Sequence, residues 1–71
     1  MQREAVTSSN LVSVGYDPES QVLEVEFKNG TVYQYEGVPR FAYTDLIQAQ
    51  SPGSYFNANI RPQYPFVKVS E

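Results

Sequence analysis

Apolar and acidic residues alternate from Val22 to Phe27, with Leu23, Val25 and Phe27 on one face and Glu24 and Glu26 on the other. A period of two marks a strand with one solvated face. Thr31 to Glu36 alternates as well, and Tyr33 and Tyr35 share a face. Lys28-Asn29-Gly30 joins the two runs, and two turns compete for it. A type I′ Asn-Gly turn would set Val25 opposite Gln34 and Phe27 opposite Val32, sending both tyrosines to the acidic side. A three-residue loop, with Gly30 left-handed in a bulge, pairs Phe27 with Thr31, Val25 with Tyr33 and Leu23 with Tyr35. A slip of one residue turns a whole strand over, so the register that gathers the large side chains is the one predicted. Gly30 supplies the positive φ it needs.

The pattern extends in both directions. Leu11 to Tyr16 reads as a preceding strand with Val12, Val14 and Tyr16 on one side. Asp17-Pro18-Glu19-Ser20 has turn chemistry, and a four-residue connection there pairs Val14 with Leu23 and Val12 with Val25. Met1 to Ser9 is polar and aperiodic, which predicts a frayed start over residues 1–8. Downstream, Gly37-Val38-Pro39 ends the third strand, and Pro39 suits the first turn of a helix. Phe41, Ala42, Leu46 and Ala49 form a helical stripe over Arg40 to Gln50, supported by Tyr43 and Ile47. Ser51-Pro52 then reads as an N-cap with proline at N1. The second helix runs from Gly53 to about Arg61, buries Phe56 and Ile60, and stops at Pro62 because the residue before proline avoids the α region. Tyr64 to Val69 suggests a short last strand that Pro65 pushes to an edge. The expected fold is α+β: a three- or four-stranded antiparallel meander covered on one face by two short helices.

Composition narrows the chemistry. A chain of 71 residues reads as a single domain over 1–71 with a small core. It contains no cysteine and no histidine, so disulfides and Cys/His zinc sites are excluded and stability falls to packing or self-association. No apolar run approaches a membrane span, and a soluble, cytoplasmic protein is expected. The usual bases and nucleophiles are missing, and Ser51 and Ser54 have no evident activating base. Glu24 and Glu26 read as a solvated strand face rather than an acid/base pair, and Asp45 with the scattered glutamates lacks metal-ligand spacing. No catalytic residue, metal or cofactor is expected. The net charge of −3, from 8 acidic and 5 basic side chains, argues against a strong non-specific nucleic-acid binder but leaves room for a small basic patch.

The run SSNLVSVGYDPES, then LEVEFKNGTVYQYEGVP and YTDLIQAQSPGSYFNANIRPQYP, closely resembles the KTSC domain. That module takes its name from the C-terminus of some lysyl-tRNA synthetases and also stands alone in bacteria and phages. The resemblance covers Ser8 to about Val69. Its most specific pieces are Tyr33-Gln34-Tyr35, Val38-Pro39, the Ala49 to Gly53 junction, Asn57, Ile60-Arg61 and Tyr64. The synthetase connection suggests RNA as a ligand; the acidic balance of this chain and the lack of an attached synthetase depart from that picture.

Tyr33 and Tyr35 could form a base-stacking platform, but sharing a face with Leu23 and Val25 assigns them to the core, with hydroxyls able to reach a pocket at the rim. The start of the second helix is the preferred site. Ser51, Gly53 and Ser54 surround free backbone N–H groups there, Arg61 and Arg40 would neutralise phosphate, Asn57 would read a base or ribose or else hold the C-terminal segment, and Tyr55 or Tyr64 would cover the base. The plainer reading is an ordinary capped helix with Arg61 paired to a carboxylate. The expected function is a small non-enzymatic binding module for nucleic acid or a nucleotide/phosphate ligand, in its sharpest form a homo-oligomeric, phage-type nucleotide sponge. The alternative is a protein–protein interaction module that uses strands one and three as exposed sheet edges.

Overall fold

The β-hairpin forms in the register that collects the aromatic side chains. In the computed structural model, which describes residues 2–69, β3 (Val22–Phe27) pairs antiparallel with β4 (Val32–Tyr35), placing Leu23 opposite Tyr35 and Val25 opposite Tyr33. The Phe27 amide donates to the Thr31 carbonyl at 2.9 Å, and Gly30 between them takes φ +92°. Asn29 fixes the turn, its Oδ1 accepting from the Thr31 amide at 3.0 Å and the Thr31 hydroxyl at 2.6 Å.

The pairing of β2 (Leu11–Asp17) with β3 differs from the expected register by two residues: Val14 lies opposite Val25, and Tyr16 opposite Leu23. Asp17 is the cause. Its carboxylate accepts from the Glu19 amide at 3.0 Å and the Ser20 hydroxyl at 2.9 Å, and its carbonyl accepts from the Gln21 amide at 2.8 Å. The loop therefore closes one residue later on each side, with Gln21 left-handed at φ 58°. A two-residue shift keeps every side chain on its predicted face. A bulge between Leu11 and Ser13 does not; it buries Leu11 and leaves Val12 38% exposed, against the expectation for Val12.

Two further strands complete a sheet in the order β1-β2-β3-β4-β5. β1 (Arg3–Ala5) replaces the frayed start expected over residues 1–8; Met1 lies outside the described residues. Arg3 faces Gly15 in the register, and its guanidinium lies 3.3 Å from the Glu24 carboxylate and 3.8 Å from that of Glu26. The acidic face is thus bridged from a neighbouring strand. β5 (Phe66–Lys68) is the edge strand anticipated after Pro65, with Tyr35 opposite Phe66 and Tyr33 opposite Lys68. These additions move the open edges: β2 and β4 are interior, and β1 and β5 lie outermost.

Two short helices cover one face. α1 (Arg40–Gln48) follows Pro39, which is the N-cap, and ends before the predicted Gln50 because Ala49 is extended at ψ 145°. Ala42 and Leu46, one turn apart, are buried. Phe41 points away and is 66% exposed, and Ile47 is exposed too, so neither contributes the core contact expected of it. α2 (Pro52–Tyr55) runs on as a π turn over Phe56–Ile60. The wide turn closes with the Arg61 amide donating to the Phe56 carbonyl at 2.9 Å, and Arg61 keeps α geometry although Pro62 follows. A regular α turn would drive the Pro62 ring into the carbonyl four residues back, and the wider ring relieves that clash.

The core joins Leu11, Val14, Leu23, Val25 and Tyr35 of the sheet to Val38, Ala42, Leu46, Phe56 and Ile60. Phe56 meets Phe27 and Tyr35 edge-on at 5.6 and 5.2 Å. Each fully buried Leu, Ile or Phe contributes about 1.5–3 kcal/mol, so this cluster is the main source of stability. Among the described residues no helix is long and apolar enough to cross a membrane.

Candidate anion-binding groove

Tyr35 is 1% exposed as a residue, and its hydroxyl makes no hydrogen bond to another described residue; among the described residues the buried side-chain polar atom without a hydrogen-bond partner is Arg3 Nη1. Tyr35 forms part of the wall of a groove of about 380 Å³ that opens between the β3–β4 turn, the segment before β2 and the end of the π turn. Phe27 and Tyr33 supply the apolar wall; Ser9, Asn10, Asn29 and Thr31 supply polar groups.

Two of the chain's five basic side chains, Lys28 and Arg61, line this groove, and among the described residues no carboxylate does. The ion pairs among the described residues both belong to Arg3, so neither Lys28 nor Arg61 is ion-paired with a described residue. Backbone contacts set both in place. The Lys28 amide donates to the Asn10 carbonyl at 3.0 Å, which ties the turn to the segment before β2. The π closure onto Phe56 orients Arg61. Burial pushes the Tyr35 phenol above its ordinary range, the Arg61 charge opposes that, and Tyr33 adds to it. The phenol is therefore protonated at neutral pH, with the Arg61 charge close enough to act on it. Lys28, Arg61 and Tyr35 thus share the lining of one groove, and ammonium and guanidinium groups are the side chains suited to an anion.

Of the residues predicted as the site, Arg61 alone lines this groove. Ser51 caps α2, its Oγ accepting from the Ser54 amide at 3.4 Å and donating to the Ser54 hydroxyl at 2.9 Å. Gly53 is buried against the side chains of Asn10 and Ser8 rather than open to a ligand. The Tyr55 hydroxyl lies 3.5 Å from an Asp45 carboxylate oxygen, and burial, followed by the Asp45 charge, pushes its phenol up. Tyr64 packs against the core, and Asn57 is exposed on the π turn. Arg40 lines a separate, smaller depression of about 240 Å³ with Tyr16, Pro18, Tyr43 and Thr44. The predicted constellation does not converge. The α stretch of α2 spans only 4 residues, which leaves little aligned dipole at its start.

Sequence reading missed Lys28, Asn10 and Asn29. Lys28 and Asn29 registered only as turn residues, although the turn that fixes the hairpin also presents the cation. The tyrosine pair was correctly placed on the core face, and both residues line the groove. The described residues contain no group of three or more acidic side chains placed to hold a metal ion.

Comparison with known proteins matches residues 7–64 to the family described as KTSC domain. A protein of Stutzerimonas stutzeri is 50% identical over 64 residues, covering 90% of both chains. The lysine–tRNA ligase of Nostoc punctiforme is 38% identical over 55 residues, which are 78% of this chain and 10% of the ligase. The crystal structure of a KTSC domain protein from Yersinia pestis superposes with a TM-score of 0.91 at 38% identity, covering 97% of each chain.

Proposed function

Because this chain belongs to the KTSC domain family, whose module recurs within lysine–tRNA ligases, we propose that it is a non-enzymatic binding module for a phosphate-bearing ligand, a nucleotide or a segment of nucleic acid. The observation that carries this reading is one groove lined by Arg61, Lys28 and Tyr35, whose phenol has no hydrogen-bond partner among the described residues. A net charge of −3 makes the local excess of positive charge more telling, since a cation in this chain has many carboxylates available to it. Two cations with no ion pair among the described residues, in one concave site, suit a phosphate. Arg61 offers a planar fork for two phosphate oxygens, and Lys28 a point charge on a tethered turn. The absence of histidine and cysteine from the whole chain favours binding over turnover.

Anisotropy of a fluorescein-labelled uridylate oligomer tests the reading. Wild type is expected to bind, with affinity falling as salt rises. Arg61→Gln and Lys28→Gln should each weaken binding and reduce the salt slope by about 0.7 per lost phosphate contact. Unchanged affinity in both variants would rule this groove out as the phosphate site.

A second reading, a protein-interaction or self-association module, is favoured by the open edge of β5, where Val67 and Val69 are 47% and 48% exposed. Strand addition there would depend weakly on salt, which separates it from phosphate recognition.

A further inference from the structure

Phe66 adjoins the groove through Tyr33 and Tyr35, two of its lining residues. On the helix-facing side of the sheet, the register sets Phe66 across from Tyr35 and Lys68 across from Tyr33. The Phe66 ring stacks on Tyr33, with centroids 5.2 Å apart and planes 18° from parallel, and leans on Tyr35 at 5.4 Å and 37°. Despite two ring neighbours, Phe66 is 52% exposed. Tyr33 is the shared member: it lines the groove with Arg61 and Lys28, and it supports the Phe66 ring from beneath. Lys68 stands on the same face, two residues along β5, with no ion pair among the described residues.

We propose that Phe66 is a stacking platform for a nucleobase, so that one nucleotide unit lies with its phosphate against Arg61, Lys28 and the Tyr35 hydroxyl and its base on the open face of Phe66. This inference rests on the groove reading above and specifies what accompanies the phosphate. Contacts with Tyr33 and Tyr35 hold the ring's orientation before any ligand arrives, so a base would stack without freezing a loose side chain. Every base has a π face, and stacking on an aromatic ring tolerates sequence. Lys68 adds positive charge for a neighbouring phosphate. The arrangement recognises a base and a phosphate held one ring apart; neither a bare phosphate nor a bare nucleoside would satisfy both parts.

The test compares wild type with Phe66→Leu, Phe66→Trp and Arg61→Gln, using a short uridylate oligomer, uridine monophosphate and pyrophosphate as probes. Phe66→Leu should weaken the oligomer and the monophosphate roughly 5- to 100-fold and leave pyrophosphate unchanged. Phe66→Trp should restore binding. The chain contains no tryptophan, so the new indole is its own reporter, and base stacking should quench its fluorescence. Either ligand source supports the platform: loss on both nucleotide probes points to a free nucleotide unit, and loss confined to the oligomer points to a strand. If Phe66→Leu binds both nucleotide probes as wild type does while Arg61→Gln weakens them, the platform is wrong and the groove stands. If Arg61→Gln weakens none of the three probes, the groove reading fails and the platform falls with it.

Discussion

Gly53 and Asn10 approach so closely that a Cβ on the glycine would overlap the Asn10 side-chain oxygen, with the Ser8 hydroxyl 2.9 Å from the same point. The segment that precedes β2 is thereby pressed onto the first turn of α2. The same segment continues through Ser9 and Asn10 into the groove wall, and the Asn10 carbonyl holds the Lys28 amide. A glycine that looked like an anion-site donor instead positions the wall of a different site.

Gly53→Ala should therefore lower stability by about 1–3 kcal/mol, the usual cost of forcing an extra carbon into packed surroundings. Asn10→Ala in the same chain removes the nearest obstacle and should recover part of the loss. Urea denaturation of the single and double variants measures both. A stable Gly53→Ala would mean that the contact gives way at little cost.

Most of the fold was legible because a strand with one buried face writes its register into its pattern. Val25 opposite Tyr33 followed from alternation and the one-residue flip rule alone. The misses share a cause: short elements held by contacts distant in sequence. Arg3–Ala5 carries no apolar period, and what pairs it is Gly15 opposite Arg3 and the carboxylates of β3 beyond. Phe41 fits a helical stripe on paper, but the face α1 presents to the sheet is set by Ala42 and Leu46. The site was less legible still. Lys28, Arg61 and Tyr35 lie on three separate segments, and neither spacing nor composition shows that they meet.

Gly30→Val tests the hairpin. At φ +92° a β-branched residue meets its own backbone although the space around it is open. Strain of roughly 1–3 kcal/mol is expected, enough to lower the melting temperature markedly or to re-register the turn. Gly30→Asn, which tolerates the left-handed region better, should cost less. Equal melting of the valine variant and wild type would contradict the three-residue loop. Because Lys28 sits in this turn, the valine variant should also weaken oligonucleotide binding.

Gln21 offers the opposite experiment. It is left-handed at φ 58°, and its carbonyl accepts from the Val38 amide at 2.9 Å, linking the β2–β3 loop to the entry of α1. A non-glycine residue pays about 1 kcal/mol for that conformation, which glycine would relieve at the expense of a more flexible unfolded chain. Gln21→Gly is predicted to hold stability level or raise it by up to about 1 kcal/mol, and Gln21→Val to lower it. Thermal melts of the pair decide whether the strain is real.

The Tyr35 phenol links stability, pH and the proposed ligand. Burial is the main reason its ionisation lies above the ordinary tyrosine value of 10.0. Its neutral form is favoured in the folded protein, so its contribution is complete below the unfolded pKa and is lost as pH rises through the folded one. Tyr43 and Tyr55 shift in the same direction, also chiefly through burial, so wild type should lose stability as pH climbs past about 10. Tyr35→Phe removes one of these groups and should make the alkaline decline shallower. At neutral pH the same variant should change stability by less than about 0.5 kcal/mol, since no protein partner among the described residues is lost. Ligand affinity should behave differently. A hydrogen bond to a charged group is worth about 1.5–3 kcal/mol, so Tyr35→Phe should weaken oligonucleotide binding at least about tenfold. Unchanged binding together with unchanged stability would show the hydroxyl to be idle and would leave the groove without its proposed neutral donor.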